Sequence, residues 1–223
     1  MIYLDHNATT QPAPEVLVEM HDALARAWAN PSSTHGPGQA ARRLLADARL
    51  RVAAYLGCQA AELVFTSGAT EANHMAVAGA LALGQARGRR RWLLSAVEHP
   101  ALLALAGRLA AEGQAEVEHL PVDGQGRLRL DVLQQRLGDD LALVSVMGAN
   151  NETGVTMATP ALAGLVHAAG ALLQVDATQL PGKSAWRFDA SGADLASVSA
   201  HKLHGPKGTG ALFTFAVKGG YDA

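Results

Sequence analysis

Cysteine is almost absent: Cys58 stands alone among 223 residues, which excludes an internal disulfide and any cysteine-built metal scaffold. Aromatic residues are also scarce, 4% against 49% hydrophobic overall, so the core must be assembled from Ala, Leu and Val rather than stacked rings. Charge is thin, at 17% of residues, and 18 basic against 20 acidic groups leave a net −2. A nucleic-acid surface would need a basic stripe, and the one basic cluster, residues 87–91, reads as a solvated helix end leading into a strand. Long apolar runs are missing too. The best two, residues 75–83 and 161–175, are short or broken by glycine and His167, so neither reaches a membrane span. The N-terminus opens Met1-Ile2-Tyr3-Leu4-Asp5 without the charged and apolar regions of a secretion signal. A reducing cytosol is the expected compartment.

The length predicts one large domain or one and a half. Short β-branched and leucine-rich runs at 63–66, 92–97, 117–122, 141–147, 172–176, 195–199 and 210–215 read as seven strands. Segments with helical apolar spacing lie between most of them, at 71–83, 101–112, 130–137 and 160–169, and this alternation predicts a mostly parallel, doubly wound α/β sheet. Residues 204–210 are too few for a helical crossover, so the last strand should run antiparallel. Two further helices, 13–28 and 39–56, flank a Pro/Ser/Gly-rich loop at 30–38.

Several spacings imitate known sites. Glu71/His74 and Glu116/His119 both read Glu-x-x-His, which joins two metal ligands only on a helix. The second pair falls on a strand, where positions three apart face opposite ways, and the first reads as helix capping, so no metal site is expected. Residues 205–210 are glycine-rich but lack the Lys-Ser/Thr ending of a phosphate loop. Ser199 and Lys202 match the Ser-x-x-Lys of acyl-transferring enzymes, although they end a strand where that chemistry wants a helix.

Comparing strand ends is more informative, because ligands of open α/β sheets gather at the carboxyl ends of the strands. The first strand runs into Thr66-Ser67-Gly68-Ala69-Thr70-Glu71 and a helix, an anion cradle of hydroxyls and free N–H groups. Other strands end in Glu98-His99-Pro100, in residues 149–154, in Asp176-Ala-Thr-Gln179 and in Ser199-Ala-His201-Lys202. Of the four lysines, Lys183, Lys202, Lys207 and Lys218, only Lys202 directly follows a candidate buried strand. There it could form a Schiff base. With Asp176 to hold a pyridine nitrogen protonated and His99 to cover a flat ring, these are the parts pyridoxal phosphate (PLP) requires.

The strings Tyr3-Leu-Asp-His-Asn-Ala-Thr-Thr10, Asn30-Pro-Ser-Ser33 with His35, Phe65-Thr-Ser-Gly-Ala-Thr-Glu71, Val97-Glu-His-Pro100, Asn150-Asn-Glu-Thr-Gly154, Val175-Asp-Ala-Thr-Gln179 and Ser199-Ala-His-Lys-Leu-His-Gly-Pro-Lys-Gly208 resemble the NifS/IscS cysteine desulfurases, within the class V aminotransferase-like PLP enzymes. They run in family order to about Phe213. The resemblance implies the large domain of the type I PLP fold over residues 15–215, an N-terminal segment 1–14, an atypical tail 216–223, and no C-terminal small domain. It implies that Lys202 holds PLP, Asp176 pairs with the ring nitrogen, Gln179 bonds the ring oxygen, and His99 stacks on the ring and moves protons. Ala69, Thr70, Ser199 and His201 would bind the phosphate, and Asn151 would lie beside ring oxygen and substrate carboxylate.

The implied reaction converts L-cysteine to L-alanine and an enzyme persulfide, delivered to a sulfur-acceptor or iron–sulfur scaffold protein by a homodimer. The family's persulfide cysteine, carboxylate-binding arginine and partner-subunit threonine belong to regions expected beyond residue 223, as in a truncated, frameshifted or split gene product. Cys58 lies in none of them. A PLP-binding remnant without turnover, and another class V enzyme such as a selenocysteine lyase, are the alternatives.

Overall fold

The computed structural model describes residues 2–214; Phe215, the end of the seventh predicted strand, and the tail 216–223 lie outside the described residues. Two helices come first, α1 (Pro14–Arg26) and α2 (Gly36–Leu56). Then follow β1 (Leu63–Thr66), α3 (Ala69–Gln85), β2 (Arg91–Ser95), α4 (Pro100–Ala111), β3 (Glu116–Leu120), α5 (Leu130–Arg136) and β4 (Leu141–Met147). The remainder is α6 (Thr159–Ala168), β5 (Leu172–Asp176), the short α7 (Phe188–Ser191), β6 (Leu195–Ser199) and β7 (Gly210–Thr214).

Every residue of β4 is buried, as a continuous apolar run requires of a parallel strand covered on both faces. It lies inside a seven-stranded sheet ordered β1-β7-β6-β5-β4-β2-β3. Pairing is parallel from β3 through β6, whereas β7 is antiparallel to both β6 and β1, the reversal its short connection predicts. Because β1 meets an antiparallel neighbour, it points the same way as the parallel set. The carboxyl ends of β1, β2, β4, β5 and β6 therefore share one edge.

Period-two alternation divides the core between the two faces. On one, Val77 and Leu81 of α3 and Leu102, Leu105 and Leu109 of α4 pack on Trp92, Leu94 and Leu143. On the other, Leu133 of α5, Leu162 and Val166 of α6 and Phe188 of α7 pack on Leu93, Val144 and Leu173. Trp92 satisfies its buried indole N–H on the Ser145 hydroxyl at 2.8 Å. The first helix behaves differently. None of its residues is buried, and Leu24 and the following Trp28 are 75% and 74% exposed. No helix among the described residues is long and apolar enough to cross a membrane.

Two strands start one residue earlier and end two residues sooner than the sequence expectation. β2 stops at Ser95 because Glu98 folds back onto the sheet edge, and β3 stops at Leu120 because Pro121 has no N–H for the ladder. The basic cluster 87–91 is also corrected. Arg89 donates to the carbonyls of Leu141 and Ala169 at 3.0 and 2.9 Å, and Arg91, its side chain only 16% exposed, bridges Glu118 and Asp140. Two of the arginines thus tie strand starts together instead of standing in solvent.

Candidate active site

A cleft of about 630 Å³ opens at the shared strand edge. Its walls contain all nine residues named from sequence: Ala69, Thr70, His99, Asn151, Asp176, Gln179, Ser199, His201 and Lys202. Five separate strand ends supply them, as the parallel topology demands.

The α3 end of the cleft is built for an anion. Gly68 is the N-cap and contributes no side-chain bond, so the first amides of the helix keep their N–H groups for a ligand, with the positive end of the helix dipole behind them. Glu71 turns back to accept the Ser67 N–H at 2.6 Å, in keeping with a capping role, and the Ser67 side chain followed by its N–H holds the carboxyl below the usual range. A Cβ on Gly210 would sit 2.5 Å from the Gly68 Cα. Only glycine lets β7 press its backbone against this loop and support it from below.

The floor carries two carboxyl groups. Asp176, at the end of β5, accepts the Thr178 N–H at 3.0 Å and an amide hydrogen of Asn73 at 2.8 Å. Glu98 is 4% exposed; its Oε1 accepts the Met147 N–H at 2.6 Å and the Ser95 hydroxyl, while Oε2 has no protein partner. Burial, reinforced by the Asp176 charge, pushes the Glu98 carboxyl up to about 8. Glu98 therefore holds its proton at neutral pH.

The amine end is organised by Asn7. Its carbonyl accepts from Lys202 Nζ and from Gln179 Nε2, the latter at 2.9 Å, and its own side-chain amide donates to the Asn151 carbonyl at 3.1 Å. Lys183 donates to Asn7 Oδ1 at 3.1 Å and to Gln179 Oε1. That bond occupies the Gln179 oxygen, while its NH₂ has one hydrogen on the Asn7 carbonyl and a second left to donate. Burial lowers the Lys202 pKa against the opposing pull of Asp176, Asp5 and Glu152. His201 is lowered first by burial and then by the Lys202 and Lys207 charges. A less protonated lysine is a better nucleophile toward a carbonyl.

At the rim, His99 caps α4, its Nδ1 accepting the Ala101 N–H at 3.2 Å, so the neutral ring carries its proton on Nε2. The neighbouring asparagines separate in role. Asn150 accepts from the N–H groups of Glu152 and Thr153 and pins a turn, while Asn151 lines the cleft. Ser199 closes β6 and Lys202 ends the 3₁₀ turn Ala200–Lys202, so the pair lacks the helical face that Ser-x-x-Lys acyl transfer uses. Cys58 lies outside the cleft, packed on the core, and burial followed by the Glu62 and Asp189 charges raises its thiol to about 11. No cluster of three metal-ligating side chains occurs among the described residues.

Sequence reasoning gave no role to Asn7, Asn73, Glu98 or Lys183. Lys183 is one of four lysines but follows no strand, Glu98 stands at a strand end but owes its place to Met147 49 positions away as well as to nearby Ser95, and Asn7 and Asn73 meet partners more than 100 positions away. The donor set fits a phosphorylated pyridine aldehyde: uncapped helix amides with His201 and Lys207 for the phosphate, Asp176 for a ring nitrogen, Lys202 for the aldehyde. Thr178 adds a buried hydroxyl with no protein partner in the same wall.

Comparison with known proteins agrees with this donor set. The Aminotransferase class-V family matches residues 2–216. A cysteine desulfurase of Frankia sp. (strain EuIK1) is 46% identical over 219 residues, covering 95% of this chain and 52% of the relative. Among solved structures, a NifS-like protein superposes with TM-score 0.92 at 35% identity, over 98% of this chain and 60% of the other. A second, described as SspA in complex with cysteine, gives 0.90 at 29% identity, over 96% and 61%. The chain spans about half the length of the curated relatives it matches. Class V aminotransferases and cysteine desulfurases are PLP-dependent, and the NifS-like neighbours share the type I fold found here. By a family match over nearly all of its residues and by the architecture that carries its cleft, this chain belongs to the class V aminotransferase family.

Proposed function

We propose that the chain carries the cofactor-binding part of a PLP-dependent cysteine desulfurase, which takes sulfur from L-cysteine, leaves L-alanine and passes a persulfide toward iron–sulfur cluster or thio-cofactor assembly. The observation that supports this most is the convergence of nine separately named residues on one cleft around Lys202. When bound, PLP supplies an aldehyde that links to amines and an electron-withdrawing ring. Lys202 provides the amine for that link. The α3 amides of Ala69 and Thr70, with Ser199 and His201, hold the phosphate, Asp176 faces the ring nitrogen, and Gln179 donates to the ring oxygen. Asn151 orients the substrate carboxylate, and His99 covers the ring; Lys202 and His99 move protons at the substrate carbon. Residues 15–215 serve as the cofactor domain, and the N-terminal segment 1–14 meets the cleft residues Lys202 and Gln179 through Asn7. A homodimer in the cytosol, handing sulfur to a partner protein, completes the reading.

Reconstitution of the purified chain with PLP tests it. A visible absorption band of lysine-linked cofactor is expected, and Lys202→Ala should abolish it; folded wild-type protein without such a band would refute the assignment.

Sulfur abstraction needs a thiolate, and the only cysteine is held outside the cleft with its pKa near 11. This favours a second reading for these 223 residues alone, namely cofactor binding with little turnover. Robust alanine and sulfide production from cysteine by the Cys58→Ala variant would overturn that reading.

A further inference from the structure

We propose that Asn73 is a positioning residue that fixes the Asp176 carboxylate toward the ring nitrogen of the cofactor. The proposal rests on the PLP reading of the cleft and assigns a role to a residue outside the nine. Asn73 is 4% exposed, on the buried side of α3, and its side chain makes three hydrogen bonds. Its amide nitrogen donates to Asp176 Oδ2 at 2.8 Å, and its oxygen accepts from Gln174 Nε2 at 2.8 Å and from the Ser197 hydroxyl at 2.5 Å.

This network selects one orientation of the amide. Turned over, Asn73 would set its oxygen against the Asp176 carboxylate, two acceptors facing each other without a proton between them. As observed, Ser197 from β6 and Gln174 from β5 both grip the oxygen, so the N–H groups can only face Asp176. The Thr178 N–H occupies the other carboxylate oxygen at 3.0 Å. One donor on each oxygen fixes the carboxylate plane, and the remaining lone pairs are left for the cleft that Asp176 lines.

The position of Asn73 in α3 adds a second consequence. Thr70 and Asn73 are three residues apart, just under one helical turn and about 4.5 Å along the axis, so one rigid helix holds the phosphate end and the carboxylate end of the cofactor site at a set spacing. A cofactor anchored at Thr70 meets a carboxylate already aimed at its ring.

The test is reconstitution with PLP carrying ¹⁵N in the ring, followed by ¹⁵N NMR across pH, with cofactor affinity measured alongside. Wild type should keep the ring nitrogen protonated well into the alkaline range. Asn73→Leu, similar in size and without donors, should move loss of that proton to lower pH and weaken PLP at least about tenfold, the scale of a hydrogen bond to a charged group. Far-UV circular dichroism should be unchanged. Ser197→Ala, which removes one grip on the Asn73 oxygen, should shift the titration in the same direction by less and carries the test if Asn73→Leu does not fold. Variants that bind PLP with the wild-type ¹⁵N titration would overturn the proposal while leaving the cofactor reading intact. Wild type that binds no PLP would overturn both.

Discussion

Replacing Glu98 by glutamine is expected to stabilise the fold, increasingly so as pH rises. The carboxyl is 4% exposed, both of its hydrogen bonds converge on Oε1, and its pKa is pushed to about 8 from the ordinary 4.5. The folded chain therefore binds this proton more tightly than the unfolded chain does. Between the two pKa values the unfolded state holds fewer protons, so stability falls with rising pH across that window and levels off above it. At about 1.4 kcal/mol per pH unit, the loss is on the order of 3 kcal/mol at pH 7 and on the order of 5 kcal/mol at the plateau. Glutamine keeps an oxygen for Met147 and Ser95 and has no proton to lose. Urea unfolding of both proteins without cofactor, from about pH 5 to about pH 8, isolates this residue, because every other titrating group is shared. The two curves should nearly meet at the acid end and separate by about 1.4 kcal/mol per unit. Parallel profiles, or a glutamine variant less stable than wild type throughout, would show that Glu98 is charged in the fold and that its place beside Asp176 has been misread.

Other outcomes follow from single contacts. Gly210→Ala forces a methyl group to within 2.5 Å of the Gly68 backbone and should cost about 2–4 kcal/mol in urea unfolding while weakening PLP binding, since it moves the loop that starts α3. Cys58→Ala should leave PLP binding unchanged and alter stability by no more than about 1 kcal/mol; in wild type, thiol alkylation should stay slow until the pH approaches the raised value of about 11. Leu24 and Trp28 project into solvent, so a Leu24→Lys, Trp28→Lys double variant should change stability by less than about 1 kcal/mol while reducing concentration-dependent association in size-exclusion chromatography.

The sheet was legible in the sequence because its signals are local. Apolar runs such as 141–147 and 172–176 mark buried strands to the residue, and the short link before Gly210 dictates the antiparallel turn. The phosphate cradle at Ala69 and Thr70, together with His99, Asp176 and Lys202, was legible because parallel topology delivers strand ends to one edge, whereas the roles of Asn151, Gln179 and His201 came only from the family resemblance. The floor and mouth were not. Asn73 meets Asp176 across 103 positions and Asn7 meets Gln179 across 172, and no periodicity within a helix or strand encodes such a pair. The basic cluster failed for the same reason: a run of arginines looks solvated until the carbonyls of Leu141 and Ala169 are brought to Arg89.

The Asn7 bridge also sets an order of events for the growing chain. Its partner Lys202 lies 195 residues downstream, and Thr10 waits for the carbonyl of His201 across 191. At about 5–20 residues per second, roughly 10–40 s pass before the ribosome supplies what the first ten residues bind. β1 likewise waits for β7, its one sheet neighbour among the described residues. The amino-terminal segment and the edge strand are thus made well before the partners that close them into the fold, and the cleft comes into being only when the sheet does.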